Sequence, residues 1–202
     1  MSQAIDNLLA ALTGEDETQP EVARRAEAAA AGLAALDEAV QLEALIALQE
    51  LLAAPEADKR WWAVRALAAL PGEGNIPLLL QALEDEDASV RQCAAVGLRQ
   101  HADMHAIAGL IEALDDPDPL VRRLAGEALE ATGSEAVPAL LLVMESGSHA
   151  ARLEAVRALA AIGDTRAIPA LFKALDDSTL LEYWASEGLE RMGVGMSFFD
   201  PG

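Results

Sequence analysis

The chain has 202 residues, a length that fits one domain or one array of repeats. Its 34 acidic residues against 14 Lys plus Arg give a net charge of −20, which disfavours nucleic acid and anionic membranes as partners. Apolar residues make up 52% of the chain but form no run long enough to span a bilayer. The sequence has a single cysteine, Cys93, which excludes an internal disulfide framework. We therefore expect a cytoplasmic protein.

Two parts of the chain differ in their regularity. Residues 1–40 are rich in helix formers, and we predict helices over 3–13 and 20–36 as a degenerate capping unit. Residues 41–193 repeat every 30 to 31 positions, and each repeat holds two stretches with apolar side chains three and four apart. This spacing is typical of two amphipathic helices packed as a hairpin. Gly193 and Gly195 break the last helix and leave a tail over 194–202.

Residue size is conserved from repeat to repeat at two positions of the second helix. One column is all alanine and the column four residues later is all leucine, so we expect the hairpins to pack against each other there. The two columns are Ala63, Ala94, Ala125, Ala155 and Ala185, and Leu67, Leu98, Leu129, Leu159 and Leu189.

The repeat resembles the HEAT-repeat family, in particular its phycobilisome-lyase HEAT-like subtype, over about residues 41–193. The motifs that carry the resemblance are Ile76-Pro77, Val137-Pro138, Ile168-Pro169, Val121-Arg122 and Gly163-Asp164. The resemblance implies an all-α fold, a right-handed α-solenoid of about six HEAT-type helical hairpins. It also implies a single repeat array over 1–202.

Acidic residues and arginines of the repeat are expected to have a structural role. An aspartate lies six residues before the arginine in the middle repeats, and the family resemblance implies that such side chains bridge neighbouring hairpins as a ladder. At the ends Ala54 precedes Arg60 and Ser146 precedes Arg152, so we expect the ladder to be incomplete there. The predicted ladder residues are Asp85, Arg91, Asp116 and Arg122.

Residues that could carry chemistry are few. His101 and His105 are four apart, but we place His101 at the end of one helix and His105 at the start of the next hairpin, so they are not predicted to share a metal. Deoxyhypusine hydroxylase, a HEAT-repeat enzyme, holds iron with His-Glu pairs, whereas each histidine here precedes an alanine. We interpret Cys93 as a semi-buried thiol and expect no catalytic residue.

Adjacent aromatic pairs are the strongest candidates for a binding surface. They occupy equivalent positions of two separated repeats, and HEAT-type arrays place these second helices on the concave side. Arginines lie on or near the same face, and aromatic side chains beside arginine are common in binding hot spots. The alternative is that the large rings close the ends of the array. The candidate binding residues are Trp61, Trp62, Arg65, Arg123, Arg157, Tyr183 and Trp184.

The function predicted from these features is a non-catalytic protein-binding or scaffold module that uses the concave face and needs no cofactor. Its partner would be another protein, either a basic one or a second HEAT-repeat subunit. The resemblance implies an alternative, a bilin lyase-like or phycobilisome-degradation-like protein that binds a tetrapyrrole or its carrier. Phe198 and Phe199 of the tail would fold back on the last hairpin or dock on another molecule.

Overall fold

A computed structural model describes residues 37–194 continuously, together with residues 5, 7, 9, 10, 24, 28, 31 and 32. Over this part of the chain the secondary structure is α-helical with short 3-10 turns and contains no strand. The chain forms two compact units, Met1–His101 and Ala102–Gly202. The predicted all-α fold of helical hairpins is confirmed.

The first unit contains two complete hairpins among its described residues. Helices α1 and α2 form one hairpin, α3 and α4 form the next, and α2 packs along α4. Their bounds are α1 Glu38–Leu51, α2 Ala57–Ala69, α3 Ile76–Leu83 and α4 Ala88–His101.

The described residues of the second unit form three hairpins, each made of a shorter and a longer helix. The longer helices stack in a row, with α6 against α8 and α8 against α10, while the shorter helices α5 and α7 pack against each other. Their bounds are α5 Ile107–Ala113, α6 Pro119–Thr132, α7 Val137–Ser146, α8 His149–Ile162, α9 Ile168–Ala174 and α10 Thr179–Arg191.

Two predicted segments lie outside the described residues. These are the predicted capping helices over 3–13 and 20–36, apart from a few isolated positions, and the tail after residue 194, which includes Phe198 and Phe199. The described hairpins therefore account for five of the six predicted, and the single continuous array stays a prediction.

The helices begin and end at residues that favour helix termini. Pro138 and Pro169 lie in the first turns of α7 and α9, where a missing N–H leaves no hydrogen bond unmade. Asp118 caps α6 by accepting hydrogen bonds from two backbone N–H groups. Gly163 ends α8 at φ 70°, a left-handed conformation that favours glycine.

The two size-conserved columns form the core of the hairpin stack. Every alanine of the first column is 0% exposed, and every leucine of the second is at most 2% exposed. Small side chains let neighbouring second helices approach closely, and the leucines fill the space between them. The packing predicted from residue size is confirmed.

The ladder arginines make their contacts in a register that differs from the predicted one. Arg60 donates from Nε and Nη2 to the two Asp85 carboxylate oxygens at 2.7 and 2.8 Å, although Asp85 follows it by 25 residues. Arg152 pairs with Asp177 at the same spacing of 25 residues, but through Nη2 and one carboxylate oxygen alone. The residue six positions before Arg60 contributes only a backbone carbonyl, since Arg60 Nη1 donates to the Ala54 and Pro55 oxygens at 3.0 Å.

The prediction that the ladder is incomplete is therefore wrong at Arg60. At Arg152 a carboxylate partner is present, but Nε has no hydrogen-bond partner among the described residues. Any residue can supply a carbonyl, so alanine at position 54 does not interrupt the ladder. Arg91 Nη1 likewise donates to the Asp85 carbonyl at 2.8 Å, and Arg122 Nη1 donates to the Asp116 carbonyl at 2.7 Å.

None of the helices described above combines the length and the apolar character that a bilayer crossing requires.

Candidate binding site

The first aromatic pair lies on α2 in the first unit. Trp61 and Trp62 are both half-buried and meet edge to face, with ring centroids 4.7 Å apart and an interplanar angle of 86°. Arg65 is also half-buried on the same helix. These three predicted binding residues are thus partly accessible within their own unit.

Cys93 belongs to the same unit and is buried. Burial raises the pKa of its thiol to about 11, against a lowering effect of the Arg65 charge. The thiol is therefore protonated near neutral pH, and a protonated thiol is a poor nucleophile.

The second aromatic pair lies on α10 in the second unit and is organised differently. Tyr183 is 59% exposed, whereas Trp184 is half-buried, and their rings meet edge to face at 5.1 Å. The Arg157 guanidinium of α8 lies 4.7 Å from the Trp184 ring centroid, a cation–π contact. Arg157 and Trp184 are thus brought together by the stacking of α8 on α10.

A buried carboxylate, which the sequence analysis did not identify as a site residue, completes this arrangement. Glu154 of α8 is 8% exposed and accepts a hydrogen bond from Arg157 Nη1 at Oε2, over 3.2 Å. Burial raises the pKa of the Glu154 carboxyl, against the lowering effect of Arg123 and Arg122. On α6, Arg123 Nε donates to Glu127 Oε1 at 2.9 Å.

These side chains surround a cleft of about 140 Å³, here called the Trp184 cleft. Ligand pockets for small molecules are usually on the order of 300–1,000 Å³. The cleft therefore has room for one side chain of a partner and not for an enclosed cofactor. Its lining comprises Arg123, Gly126, Glu127, Glu130, Glu154, Arg157, Ala158, Ala161 and Trp184.

The exposed side of α10 continues this surface. Glu187 and Glu190 are one and two turns beyond Tyr183 and are exposed, and Arg191 Nη2 lies 3.6 Å from Glu187 Oε1. We call the Trp184 cleft with Tyr183, Glu187, Glu190 and Arg191 the second-helix face. Five glutamates and three arginines lie on it, so the face has a surplus of two negative charges with every carboxyl ionised.

A larger cleft of about 570 Å³ lies among α7, α9 and the turns beside them, and we call it the outer cleft. Leu141, Met144 and Pro169 give it apolar walls, and Lys173 is exposed at its edge. This cleft has no signal in the sequence, because its lining comes from three separate stretches of one repeat pair. Its other lining residues are Glu145, Arg152, Arg166, Ala170, Ala174, Asp176 and Asp177.

The histidines occupy separate elements. His101 is the last residue of α4, while His105 lies in the 3-10 turn Met104–Ala106 with its Nδ1 atom 2.7 Å from Asp103 Oδ1. Within residues 37–194 and the isolated described positions, no three His, Cys, Asp or Glu side chains are grouped as a metal site would require.

Stacked helical hairpins of 30 to 31 residues with uniform buried columns define a helical-repeat protein. The model of the family described as HEAT repeats matches residues 46–130 and 107–190. The chain belongs to the HEAT-repeat family.

Relatives of this chain include a phycocyanin operon protein and a phycocyanobilin lyase subunit. It is 27% identical over 168 residues to an uncharacterized phycocyanin operon protein Z of Pseudanabaena tenuis, covering 77% of this chain and 83% of that protein. It is 39% identical over 94 residues to the phycocyanobilin lyase subunit beta of the same organism, covering 46% of this chain. That match spans only 33% of the lyase subunit.

Among solved structures, the complex of CpcE and CpcF of phycocyanin lyase from Nostoc is similar in fold, with a TM-score of 0.53 and 23% identity. The alignment covers 96% of this chain and 78% of the matched chain. These similarities support the bilin-lyase subtype of HEAT repeat.

Proposed function

We propose that the chain is a non-catalytic protein-binding module that holds its partner through the second-helix face. The observation that carries this proposal is the exposure of Tyr183 at 59% on a packed helix, beside Trp184 and Arg157. Tyrosine, tryptophan and arginine are the residues most enriched in interface hot spots. A ring held by a packed helix loses little conformational entropy when a partner covers it.

A protein is the partner that this surface favours. The cleft is too small for an enclosed cofactor, while Tyr183 and the surrounding glutamates offer a broad, polar-rimmed surface. The related phycocyanin lyase structure is a complex of two different chains, which supports a second subunit as the partner. The acidic surplus of the face favours a basic surface on that subunit.

Replacing Tyr183 by alanine tests the proposal. Affinity capture at low salt on the wild-type chain would identify the partner, which would then be titrated against each purified variant by calorimetry. We expect Tyr183→Ala to raise the Kd at least 10-fold, because a hot-spot residue contributes about 2 kcal/mol or more.

Phe172→Ala is the matched control, since Phe172 is an aromatic residue that is 44% exposed on α9 and not on the second-helix face. Its Kd is expected to change less than 2-fold. Equal losses for the two variants, or no reproducible partner, would contradict the proposal.

A second candidate function, the handling of a bilin, is favoured by the lyase relatives. The Trp184 cleft does not suit it, because its volume of about 140 Å³ is below that of a usual small-molecule pocket. The outer cleft of about 570 Å³ is within the usual range and has apolar walls. Lys173 at its edge could pair with a carboxylate of the pigment.

Mixing the purified chain with an open-chain tetrapyrrole and recording its visible spectrum tests this candidate. If the outer cleft binds the pigment, we expect Lys173→Glu to weaken the spectral change at least 5-fold at a fixed pigment concentration. Trp184→Ala is expected to leave it unchanged. An unaltered spectrum with the wild-type chain would exclude this function.

A further inference from the structure

Glu154 is a charged residue at a repeat position that otherwise holds large or apolar side chains. The equivalent residues in the other described repeats are Trp62, Cys93, Leu124 and Trp184. Gly126 on α6 faces it, and a Cβ at this glycine would be in ordinary van der Waals contact with the Glu154 Cβ at 3.4 Å. The fold therefore accommodates a carboxylate where packing alone would favour a hydrocarbon.

The Glu154 carboxylate has little hydrogen bonding for a group that is 8% exposed. Within the described part of the chain its hydrogen bond is the one from Arg157 Nη1, at 3.2 Å. An ionised carboxylate has about four acceptor positions. The remaining acceptor positions of Glu154 are available to a donor. Because Glu154 lines the Trp184 cleft, a group that enters the cleft can supply that donor.

The charges around the Trp184 cleft determine whether a cation or an anion is favoured there. Arg123 is paired with Glu127, and Arg157 with Glu154, so the cations of the lining already have carboxylate partners. Glu130 also lines the cleft and is exposed. The lining thus carries one negative charge with every carboxyl ionised, and Arg122 on α6 offsets it. Glu187 and Glu190 with Arg191 on α10 then leave a surplus of one negative charge around the cleft. A cation is favoured over an anion.

Size and shape restrict the cation further. About 140 Å³ accommodates one side chain, and the half-buried Trp184 ring offers an apolar wall. Arg157 already lies over the Trp184 ring. An arginine of the partner would bring a second planar guanidinium to a cleft that already holds Arg157. A lysine has a slender hydrocarbon stem and a compact ammonium, so it fits beside Arg157.

We propose that the Trp184 cleft receives a lysine side chain of the partner, with its ammonium on the Glu154 carboxylate and its stem against Trp184. This inference rests on the proposed protein-binding function and specifies the partner's chemistry at that face. Glu130 at the cleft contributes to the attraction of the cation. Removal of the lysine charge or of the Glu154 charge is then expected to weaken binding.

The fluorescence of Trp184 can report this binding directly. The chain contains three tryptophans, so the Trp61→Phe/Trp62→Phe background leaves Trp184 as the sole indole. The probes are octapeptides with alternating serine and one test residue: lysine, Nε-acetyl-lysine, norleucine or glutamate. We expect the lysine peptide to bind at least 10-fold more tightly than the acetylated, norleucine and glutamate peptides.

Two variants test the role of the carboxylates. Glu154→Gln keeps the side-chain shape and is expected to weaken lysine-peptide binding at least 10-fold, while Glu130→Gln gives a smaller loss. The matched control is Glu145→Gln, because Glu145 is an exposed glutamate that lines the outer cleft. It should change the Kd less than 2-fold. Far-UV circular dichroism would verify that each variant is folded, and Glu130→Gln tests the charge independently if Glu154→Gln is not.

Three outcomes would overturn the lysine assignment. The glutamate peptide could bind as tightly as the lysine peptide, which would assign the cleft to an anion through Arg123 and Arg157. The lysine peptide could fail to bind, or bind with no dependence on Glu154. If the captured partner still depends on Tyr183 in any of these cases, protein binding by the face stands and only the lysine anchor falls.

Discussion

Arg60→Met is expected to lower the free energy of unfolding by about 3–5 kcal/mol at neutral pH. Arg60 is 6% exposed. Its guanidinium donates hydrogen bonds both to the Ala54 carbonyl, in the turn before α2, and to the Asp85 carboxylate, in the turn before α4. Methionine has a similar length but leaves Asp85, whose side chain is 11% exposed, as a half-buried carboxylate without its cation. Urea unfolding followed by circular dichroism would measure the change.

The pH dependence of this loss identifies its cause. Burial raises the pKa of Asp85, but the hydrogen bonds from Arg60 and the Asp87 N–H outweigh it and hold the pKa below its usual value. A lowered carboxyl pKa stabilises the fold above the unfolded-state pKa, near 3.8, and this stabilisation is lost as the pH falls through the folded-state pKa. The difference between the wild type and the variant should therefore narrow below about pH 4.

Arg166→Met is the matched control for the buried bridge. Arg166 makes a similar two-bond contact, from Nε and Nη2 to the Asp164 carboxylate at 3.0 and 2.7 Å, but its side chain is 52% exposed. Water and salt screen an exposed pair, so the loss should be much smaller. A similar loss for the two variants would show that burial of the Arg60 bridge is not what makes it stabilising.

Gly188→Ala is expected to destabilise the second unit by about 1–3 kcal/mol, although alanine is the better helix former. A Cβ at this position would lie 2.7 Å from the Ala160 Cβ and 2.9 Å from the Ala160 Cα. The second contact is with backbone, so α8 and α10 would have to separate. Such a separation would also disturb the Arg157–Trp184 contact, since Trp184 is one turn before Gly188 on the same helix.

Gly126→Ala gives the control for this prediction. Its nearest contact is the Glu154 Cβ at 3.4 Å, an ordinary van der Waals distance. The variant should be as stable as the wild type, or more stable by up to about 1 kcal/mol from helix propensity. Thermal unfolding of both variants, with Trp184 fluorescence as a local probe, provides the measurement. Unchanged stability in Gly188→Ala would mean that the two helices adjust without cost.

The comparison of these glycines shows where sequence reasoning stops. Gly188 shares its repeat position with Ala66, Gly97, Ala128 and Ala158, so the pattern alone predicts that alanine is tolerated there. Repeat position indicates which side chains face a neighbour, and this is why the alanine and leucine columns could be predicted. It does not give the distance between two particular helices, which varies along the array.

In the ladder and the binding site, too, the residue positions could be predicted from the sequence but the contacts could not. Arginine positions could be predicted, but the spacing of six suggested a side-chain partner where the structure has a backbone carbonyl, because sequence does not distinguish the two acceptors. The aromatic pairs could be predicted as candidates. Glu154 gave one signal, a charged residue in an otherwise apolar or aromatic column, but its burial and its pairing with Arg157 depend on how α6, α8 and α10 stack.

The sequence separation of the residues that the ladder joins affects how this protein folds. Arg60–Asp85 and Arg152–Asp177 each close a loop of 25 residues, and Asn75 and His101 contact each other across 26. Such contacts are local, so the relative contact order is low and the entropy lost on closing each loop is small. Each hairpin then needs only its neighbour as a template. Folding is expected to be fast, to begin at any hairpin, and to advance one repeat at a time.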